Sequence, residues 1–249
     1  MNPTTAQKLV DLNRRFYQDF GAAFAATRRR IQPGALRVLA NLPLRGNWLD
    51  LGCGSGEVAR QLGRMGFSGT YLGLDFSPQL LAEAARGWSP NPGAFAPCYQ
   101  MADLTAPTWA DDLPQAQFDV ILCLAALHHL PGIEARGTFL RQVRRLMPPG
   151  GQFIHSQWQF QHSPKLMARR LPWQTLGLRN DDVDAGDTLL DWRYALPGQL
   201  EQTGLRYVHL FTRAELDNLA QASGFAVVES FESDGQGGRL ALYQRWQAI

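Results

Sequence analysis

Glycines at every second position follow an acid in segment 48–56. Gly52, Gly54 and Gly56 come after an apolar run that ends near Asp50. Glycine permits positive φ angles and lets the backbone approach a ligand closely. A buried strand that leads into such a loop, and then into a helix, brings a ligand to the carboxyl end of a parallel sheet. The pattern therefore predicts a ligand-binding loop, which includes Cys53.

The spacing of this loop differs from that of a dinucleotide site. The pattern G-x-G-x-x-G would need a third glycine at position 57, where the chain has Glu57. A carboxylate in the first helical turn would repel a pyrophosphate, which binds at helix N-termini. A ligand that has a positive centre and no phosphate fits this loop better.

Two further acids follow predicted strands. Asp75 comes about twenty residues after Gly56, the separation at which an acid binds a ribose diol. A carboxylate suits that task because it accepts hydrogen bonds from both hydroxyls. Asp103 could accept from an exocyclic amine while Leu104 packs on the ring. Each acid alone could simply cap a strand end, but acids in phase with a glycine loop favour a nucleoside ligand.

Strands and helices alternate around these residues. Apolar patterning predicts strands over 47–51, 71–75, 98–102, 118–124 and 152–156. It predicts helices over 6–42 with a break at Pro33-Gly34, over 57–64, after an N-cap at Ser77, and up to Pro148. Periodicity is weak over 157–211. A capping box from Thr212 to Glu215 then predicts a helix, and strands over 225–231 and 239–246 predict a terminal hairpin.

The composition bounds the class of protein. With 249 residues and 45% hydrophobic residues, the chain is long enough for one α/β domain with an elaboration. Its net charge of +2 is mild for a nucleic-acid binder, although residues 1–45 hold eight basic and two acidic residues. Cys53, Cys98 and Cys123 show no paired spacing, so we expect neither disulfides nor a metal site. Without a signal-like or membrane-length segment, we expect a cytoplasmic protein with no membrane partner.

The motifs resemble, in order, those of class I S-adenosylmethionine-dependent methyltransferases. The segments are D-L-G-C-G-S-G at 50–56, L-D-F-S at 74–77, A-D-L at 102–104, F-D-V-I-L-C-L at 118–124 and L-M-P-P-G-G at 146–151. The resemblance implies an α/β, Rossmann-like, doubly wound sheet of seven strands with the last strand antiparallel. It implies S-adenosylmethionine as cofactor, with the methionine part near the glycine loop, the ribose on Asp75 and the adenine at Asp103 and Leu104. The implied contacts also include Asp50, Phe76, Ser77 and Leu124.

On this basis we expect residues 1–249 to form one methyltransferase domain in four parts. Residues 1–45 form an N-terminal helical cap, and residues 46–156 form the cofactor-binding core. Residues 157–211 are a substrate-side insertion, and residues 212–249 supply the C-terminal helix and hairpin.

Three further pieces resemble the methyltransferases that act on 5-carboxymethyl-type wobble uridines of tRNA. They are F-A-A-T-R at 24–28, L-H-H-L at 127–130, and the pair G-D-T-L-L-D-W at 186–192 and R-Y-V-H-L-F-T at 206–212, which E-L follows at 215–216. This resemblance implies tRNA as a partner. Eukaryotic members of that family work with a small zinc-binding protein, so it also implies an activator protein.

An in-line methyl transfer to a carboxylate needs no base, because the carboxylate is ionised at neutral pH. Its catalysis is positioning and desolvation. Arginine suits the binding of such an acceptor because its planar fork is always charged. We therefore expect Arg206 and Arg193 to hold the acceptor, and His129, Tyr207 and His209 to donate hydrogen bonds.

Other side chains are candidates for the rim and the lid. Arg28 would lie at the rim, and four aromatic residues could form a lid or stack on a base: Tyr17, Phe24, Trp158 and Trp192. Each candidate has an ordinary alternative. The arginines could form surface ion pairs, Tyr207 and His209 could lie on a packed strand face, and the tryptophans could belong to the core.

Two other functions remain open from the sequence. A small-molecule methyltransferase of this fold would use His128 or His129 as a general base towards a phenol, enol or amine. A non-catalytic module would keep the fold to bind RNA or a protein partner. The intact glycine loop with Asp75 and Asp103 argues against the second of these.

Overall fold

A computed structural model describes residues 1–26, 30–88, 95–113, 117–194 and 201–249, without the side chains of residues 22 and 24–26. The helices of the described chain are α1 (Pro3–Ala26), α2 (Pro33–Ala40), α3 (Glu57–Arg64), α4 (Pro78–Arg86), α5 (Ile133–Arg145), α6 (Pro164–Met167) and α7 (Arg213–Ala222). The strands are β1 (Arg45–Leu51), β2 (Ser68–Asp75), β3 (Cys98–Met101), β4 (Val120–Leu124), β5 (Gln152–Trp158), β6 (Arg170–Leu171), β7 (Asp187–Tyr194), β8 (Gln202–His209), β9 (Phe225–Ser233) and β10 (Ala241–Ala248).

The main sheet has seven strands in the order β3-β2-β1-β4-β5-β10-β9. Strands β1 to β5 are parallel, and β10 is antiparallel to both β5 and β9. One apolar cluster packs α5 and α7 on one face, and a second packs α2 and α3 on the other. The doubly wound sheet with an antiparallel last strand is therefore confirmed, and so is the terminal hairpin.

The strand order places a switch point between β1 and β4. From β1 the chain continues to β2 on one side, while β4 pairs with β1 on the other, with Asp50 opposite both Gly73 and Leu122. Ligands of open parallel sheets bind beyond the carboxyl ends of the strands at such a point. The glycine loop follows β1 and therefore lies there.

Local sequence signals explain where α2, α4 and α7 begin. Ser77 caps α4, because its hydroxyl accepts a hydrogen bond from the Leu80 N–H at 3.3 Å. Pro33 begins α2 at its first position rather than only ending the helix before it. At α7 the Thr212 hydroxyl accepts from the Glu215 N–H at 3.1 Å. In a capping box the Glu215 carboxylate would also accept from the Thr212 N–H. Here that carboxylate instead contacts His209 Nε2 at 2.9 Å.

Segment 157–211 contains a second, antiparallel sheet in the order β6-β7-β8, which weak periodicity did not predict. Apolar clusters cover both of its faces, one around Leu189 and Tyr207 and the other around Leu190 and Val208. With both faces buried, the alternation that identifies a strand is hidden in the sequence.

Helix α1 packs directly on β8. A Cβ atom at Gly204 would lie 2.7 Å from a ring carbon of Phe16 and 2.8 Å from one of Phe20, so only glycine permits this approach. The carboxamide of Asn13 pairs with the backbone of Tyr207: its oxygen accepts from the N–H at 2.8 Å, and its nitrogen donates to the carbonyl at 3.1 Å. The helix is thereby fixed against the small sheet.

The described residues contain neither a membrane-spanning helix nor a cluster of metal-binding side chains. Within them, no helix is both long and apolar enough to cross a bilayer. The same part of the chain has no group of three or more His, Cys, Asp or Glu residues that could hold a metal ion. Cys53, Cys98 and Cys123 have free thiols.

Candidate active site

A cavity of about 750 Å³ lies beyond the carboxyl ends of the parallel strands. The glycine loop and the ends of β2, β4 and β5 form one side of it, whereas α1 and segment 157–211 form the other. This volume and its mixed lining are those of a small-molecule site.

The glycine loop has the backbone conformation that its residues predict. Gly52, Gly54 and Gly56 have φ angles of 76°, 55° and 81°. A Cβ atom at Gly52 would lie 2.8 Å from the Cβ of Ala126, whereas one at Gly54 would meet no atom within 4 Å. Gly54 lines the cavity, so the open space beside it is where a ligand can approach the backbone.

Asp75 connects the loop to the end of β2. Its carboxylate accepts from the Gly54 N–H and from the Ser77 N–H, both at 2.9 Å. Burial raises the pKa of Asp75, and the hydrogen bonds from Ser77 and Gly54 oppose that effect. Asp75 and Phe76 line the cavity, as the ribose assignment requires.

Asp103 and Leu104 also line the cavity. The Asp103 carboxylate accepts from the Thr105 hydroxyl at 2.6 Å and pairs with Arg14 of α1 at 2.7 Å. Burial acts to raise the pKa of Asp103, but the hydrogen bonds from Thr105 and Arg14 outweigh it and lower the pKa. Helix α1 therefore touches the same acid that the sequence assigns to the adenine.

Three predicted cofactor contacts lie behind the cavity wall rather than in it. The carboxyl of Asp50 accepts from the Tyr71 hydroxyl at 2.6 Å. Burial and the charge of Asp75 raise the pKa of Asp50 to about 7, although the hydrogen bond from Tyr71 acts to lower it. Gly56 packs against α4, and Ser77 is used as the α4 cap. These residues support the loop, whereas Cys53 and Leu124 line the cavity as expected.

His129 is held between α1 and β8. Its Nδ1 lies 3.1 Å from the carbonyl oxygen of Tyr207, and its Nε2 lies 2.9 Å from the hydroxyl of Tyr17. A carbonyl oxygen only accepts, so this contact places the ring hydrogen on Nδ1 and leaves Nε2 to accept from Tyr17. The neighbouring His128 is buried, and its Nδ1 accepts from the Trp158 N–H at 3.4 Å. Both histidines line the cavity.

Strand alternation separates the other catalytic candidates. In β7 and β8, Leu190 pairs with Arg206, whereas Leu189 pairs with Tyr207. Arg206 lines the cavity and is 3% exposed. Three other candidates lie on the opposite face of this sheet, and none of them lines the cavity: Arg193, Tyr207 and His209.

The candidates that face away have other partners. The Tyr207 hydroxyl donates to Asp187 at 2.7 Å, and His209 contacts Asp187 at 2.6 Å and Glu215 at 2.9 Å. Burial acts to lower the pKa of His209, but these two carboxylates raise it. Arg193 is half-exposed and pairs with Asp191 at 2.7 Å. The ordinary alternatives, a packed strand face and a surface ion pair, describe these three residues.

Several lining residues were missed by the sequence analysis. Asn13 and Arg14 of α1 lie beside Tyr17, and Lys165 and Arg169 lie in or next to α6. The spacing of four between Asn13 and Tyr17 on a helix was a signal for one shared face. Trp158 and Trp192 line the cavity. Two rim and lid candidates, Arg28 and the side chain of Phe24, lie outside the described residues.

Comparison with known proteins agrees with this geometry. The family model described as "Methyltransferase domain" matches residues 24–230. Among curated proteins, the ubiquinone biosynthesis O-methyltransferase of Pseudomonas aeruginosa (strain LESB58) is 34% identical over 126 residues, which are 46% of this chain and 50% of that protein. The chain thus spans about half the length of the curated relatives it matches.

Solved structures share the fold over a larger part of the chain. An S-adenosylmethionine-dependent methyltransferase from Methanosarcina mazei superposes with a TM-score of 0.63 at 21% identity, covering 88% of this chain and 98% of that one. CalS10, an amino pentose methyltransferase from Micromonospora echinaspora solved with S-adenosylmethionine bound, has a TM-score of 0.58 at 20% identity, covering 92% and 97%. The chain therefore belongs to the methyltransferase domain family and has the class I fold of S-adenosylmethionine-dependent methyltransferases.

Proposed function

We propose that this methyltransferase transfers the methyl group of S-adenosylmethionine to an oxygen of a small-molecule acceptor. One observation carries the proposal: a single cavity contains both the glycine loop with Asp75 and the Tyr17–His129 pair. The donor and an ionisable acceptor can therefore meet within one cavity.

The residues of the donor side fit the cofactor. Asp75 would accept from the ribose hydroxyls, Asp103 from the adenine amine, and the backbone around Gly54 would lie against the methionine part. Glu57 also lines the cavity and forms an ion pair with Arg60 of α3. When bound, S-adenosylmethionine supplies an electrophilic methyl group on a sulfonium.

The acceptor side offers a route for a proton. An acceptor hydroxyl beside Tyr17 would pass its proton to the phenolic oxygen, while Tyr17 passes its own proton to His129 Nε2. The acceptor oxygen gains the methyl, the sulfur keeps the electron pair of the broken bond, and the proton ends on His129. Imidazole suits this task because its pKa lies near neutral pH.

The curated relatives favour a small acceptor. They are named as O-methyltransferases of ubiquinone biosynthesis, and the solved structures include an amino pentose methyltransferase. In this proposal segment 157–211 surrounds the acceptor, and α1 supplies Tyr17 as part of the site.

A second candidate is the carboxymethyl-type wobble uridine of tRNA. The two segments that resemble that family, 186–192 and 206–212, pair along β7 and β8 with Asp187 opposite His209. A carboxylate acceptor would need no base, so substitution of His129 would remove only a hydrogen-bond donor and would lower turnover less than it does for a hydroxyl acceptor. An activator protein belongs to this second candidate only.

One labelling experiment separates the candidates. The purified chain is incubated with methyl-labelled S-adenosylmethionine, a small-molecule extract and, separately, undermodified tRNA. We expect label in the small-molecule fraction, lowered about 100-fold or more by His129→Gln and unchanged by Arg193→Gln. Label in tRNA alone would overturn the small-molecule proposal, and cofactor binding without label in either fraction would overturn methyl transfer to both.

A further inference from the structure

The two sides of the cavity differ in charge. Among the described lining residues, those of the main sheet and its connecting loops include four acids: Glu57, Asp75, Asp103 and Asp234. The described lining residues of segment 157–211 include no acid and three bases: Lys165, Arg169 and Arg206. Acids suit a sulfonium and a ribose diol, so the donor side has the expected sign. The opposite sign on the acceptor side needs its own explanation.

Arg206 is the most buried of these bases, at 3% exposed. Its guanidinium carbon lies 4.6 Å from the centre of the Trp158 ring and 5.5 Å from that of Phe16. Contacts with two aromatic rings orient the guanidinium at the cavity wall. A planar, oriented guanidinium at a cavity wall is preorganised to bind an oxyanion through two parallel hydrogen bonds.

Lys165 and Arg169 add positive charge beside the cavity. Lys165 is exposed and Arg169 is partly buried. The ion pairs of the described residues include neither Lys165 nor Arg169. Uncompensated charges of one sign at the lining of a cleft raise the local concentration of ligands of the opposite sign.

We propose that the acceptor carries an anionic group, a carboxylate or a phosphate, which Arg206 binds while Arg169 and Lys165 attract it. This inference rests on the function proposed above. Arg206 directly precedes Tyr207, whose carbonyl oxygen holds the Nδ1 of His129. Arg206 and the Tyr17–His129 pair also line the same cavity, so one compact aromatic acid could place its anion at Arg206 and its reacting hydroxyl beside Tyr17.

The test measures binding, so it needs no knowledge of the natural acceptor. Benzoate, phenyl phosphate and the neutral analogue benzamide are titrated calorimetrically into the chain saturated with S-adenosylhomocysteine. We expect at least one anion to bind 10-fold or more tightly than benzamide, because hydrogen bonds to charged groups are the stronger ones. Benzoate and phenyl phosphate distinguish a carboxylate from a phosphate.

Variants on one sheet provide the matched control. Arg206→Gln should abolish the preference for the anion, whereas Arg193→Gln, on the opposite face of the same sheet, should keep it. Because Arg206 is buried, its substitution can disturb folding. The result for Arg206→Gln therefore counts only if this variant still binds S-adenosylhomocysteine. If it does not, the double variant Lys165→Gln and Arg169→Gln decides, with an expected several-fold loss of preference.

The outcomes separate this inference from the proposed function. Equal or absent binding of all three probes to a chain that binds S-adenosylhomocysteine overturns the anionic acceptor alone. The anionic acceptor is also overturned if the preference for the anion is unchanged in Arg206→Gln, or in the double variant where Arg206→Gln does not bind S-adenosylhomocysteine. A wild-type chain that does not bind S-adenosylhomocysteine overturns the proposed function itself.

Discussion

Replacing Asp75 with asparagine should weaken the binding of S-adenosylhomocysteine while the chain stays folded. The carboxylate accepts from the Gly54 and Ser77 N–H groups at 2.9 Å each, and we propose that it also accepts from the ribose hydroxyls. An asparagine side chain has one acceptor oxygen, and its amide nitrogen would face a donor. The substitution therefore removes the charge and half of the acceptor capacity at nearly constant volume.

The expected size of the effect follows from the strength of these hydrogen bonds. Bonds to charged groups contribute about 1.5–3 kcal/mol each, against about 0.5–1.5 kcal/mol for neutral pairs. Loss of one charged bond to the ribose raises the Kd about 10- to 100-fold, since about 1.4 kcal/mol is a factor of ten. A similar loss at the Gly54 or Ser77 N–H is smaller than the stability of a typical domain, about 5–15 kcal/mol.

Calorimetric titration with S-adenosylhomocysteine measures the Kd, and urea unfolding measures the stability of the same samples. Asp119→Asn is the matched control, because the Asp119 carboxylate accepts from the Asn47 N–H at 2.8 Å at the opposite end of β1. We expect the control to change stability slightly and the Kd not at all. An unchanged Kd for Asp75→Asn, or an equal rise for both variants, would refute the ribose assignment.

Four further substitutions test the loop, a buried acid and the α1 contact. Gly56→Ala should destabilise the chain by about 2–4 kcal/mol in urea unfolding, because its φ is 81° and its Cβ would lie 2.9 Å from a methyl carbon of α4. Gly54→Ala should lower stability by only about 1–2 kcal/mol, since its Cβ meets nothing within 4 Å, but it should weaken S-adenosylhomocysteine binding; equal stability effects would contradict this. The pKa of Asp50 is raised from 3.8 to about 7, so the folded chain holds a proton that the unfolded chain releases, and its stability should fall by up to about 4 kcal/mol as pH rises from 4 to above 7. Asp50→Asn should remove that fall in urea unfolding, and an unchanged pH profile would contradict the assignment. Gly204→Ala places a Cβ 2.7 Å from Phe16, so hydrogen exchange in α1 should quicken while the main sheet keeps its protection; unchanged exchange would show that α1 does not depend on this approach.

Local patterns predicted the secondary structure around the glycine loop well. The bounds 57–64 of α3, the Ser77 cap and the acids after β2 and β3 all depend on residues close in sequence. A strand end, a glycine loop and a helix start each depend on residues close in sequence, so the spacing of those residues predicts them. The burial of Asp50 behind the loop does not follow from spacing, because it depends on Tyr71 of the neighbouring strand.

The acceptor side depends on contacts between distant segments. Arg206 and Arg193 differ in role because they lie on opposite faces of β7 and β8, and a shift of one residue in register would exchange those faces. Both faces of this sheet are buried, so no alternation marks the face that meets the cavity. The contact of Tyr17 with His129 joins residues 112 apart and could not be read from either segment alone.

A crystal structure of the chain with S-adenosylhomocysteine tests the central claim most directly. We expect the ribose hydroxyls on Asp75, the adenine beside Asp103 and Leu104, and the sulfur facing the Tyr17–His129 pair across one continuous cavity. Density for the ligand elsewhere, or a sulfur walled off from His129, would contradict the account.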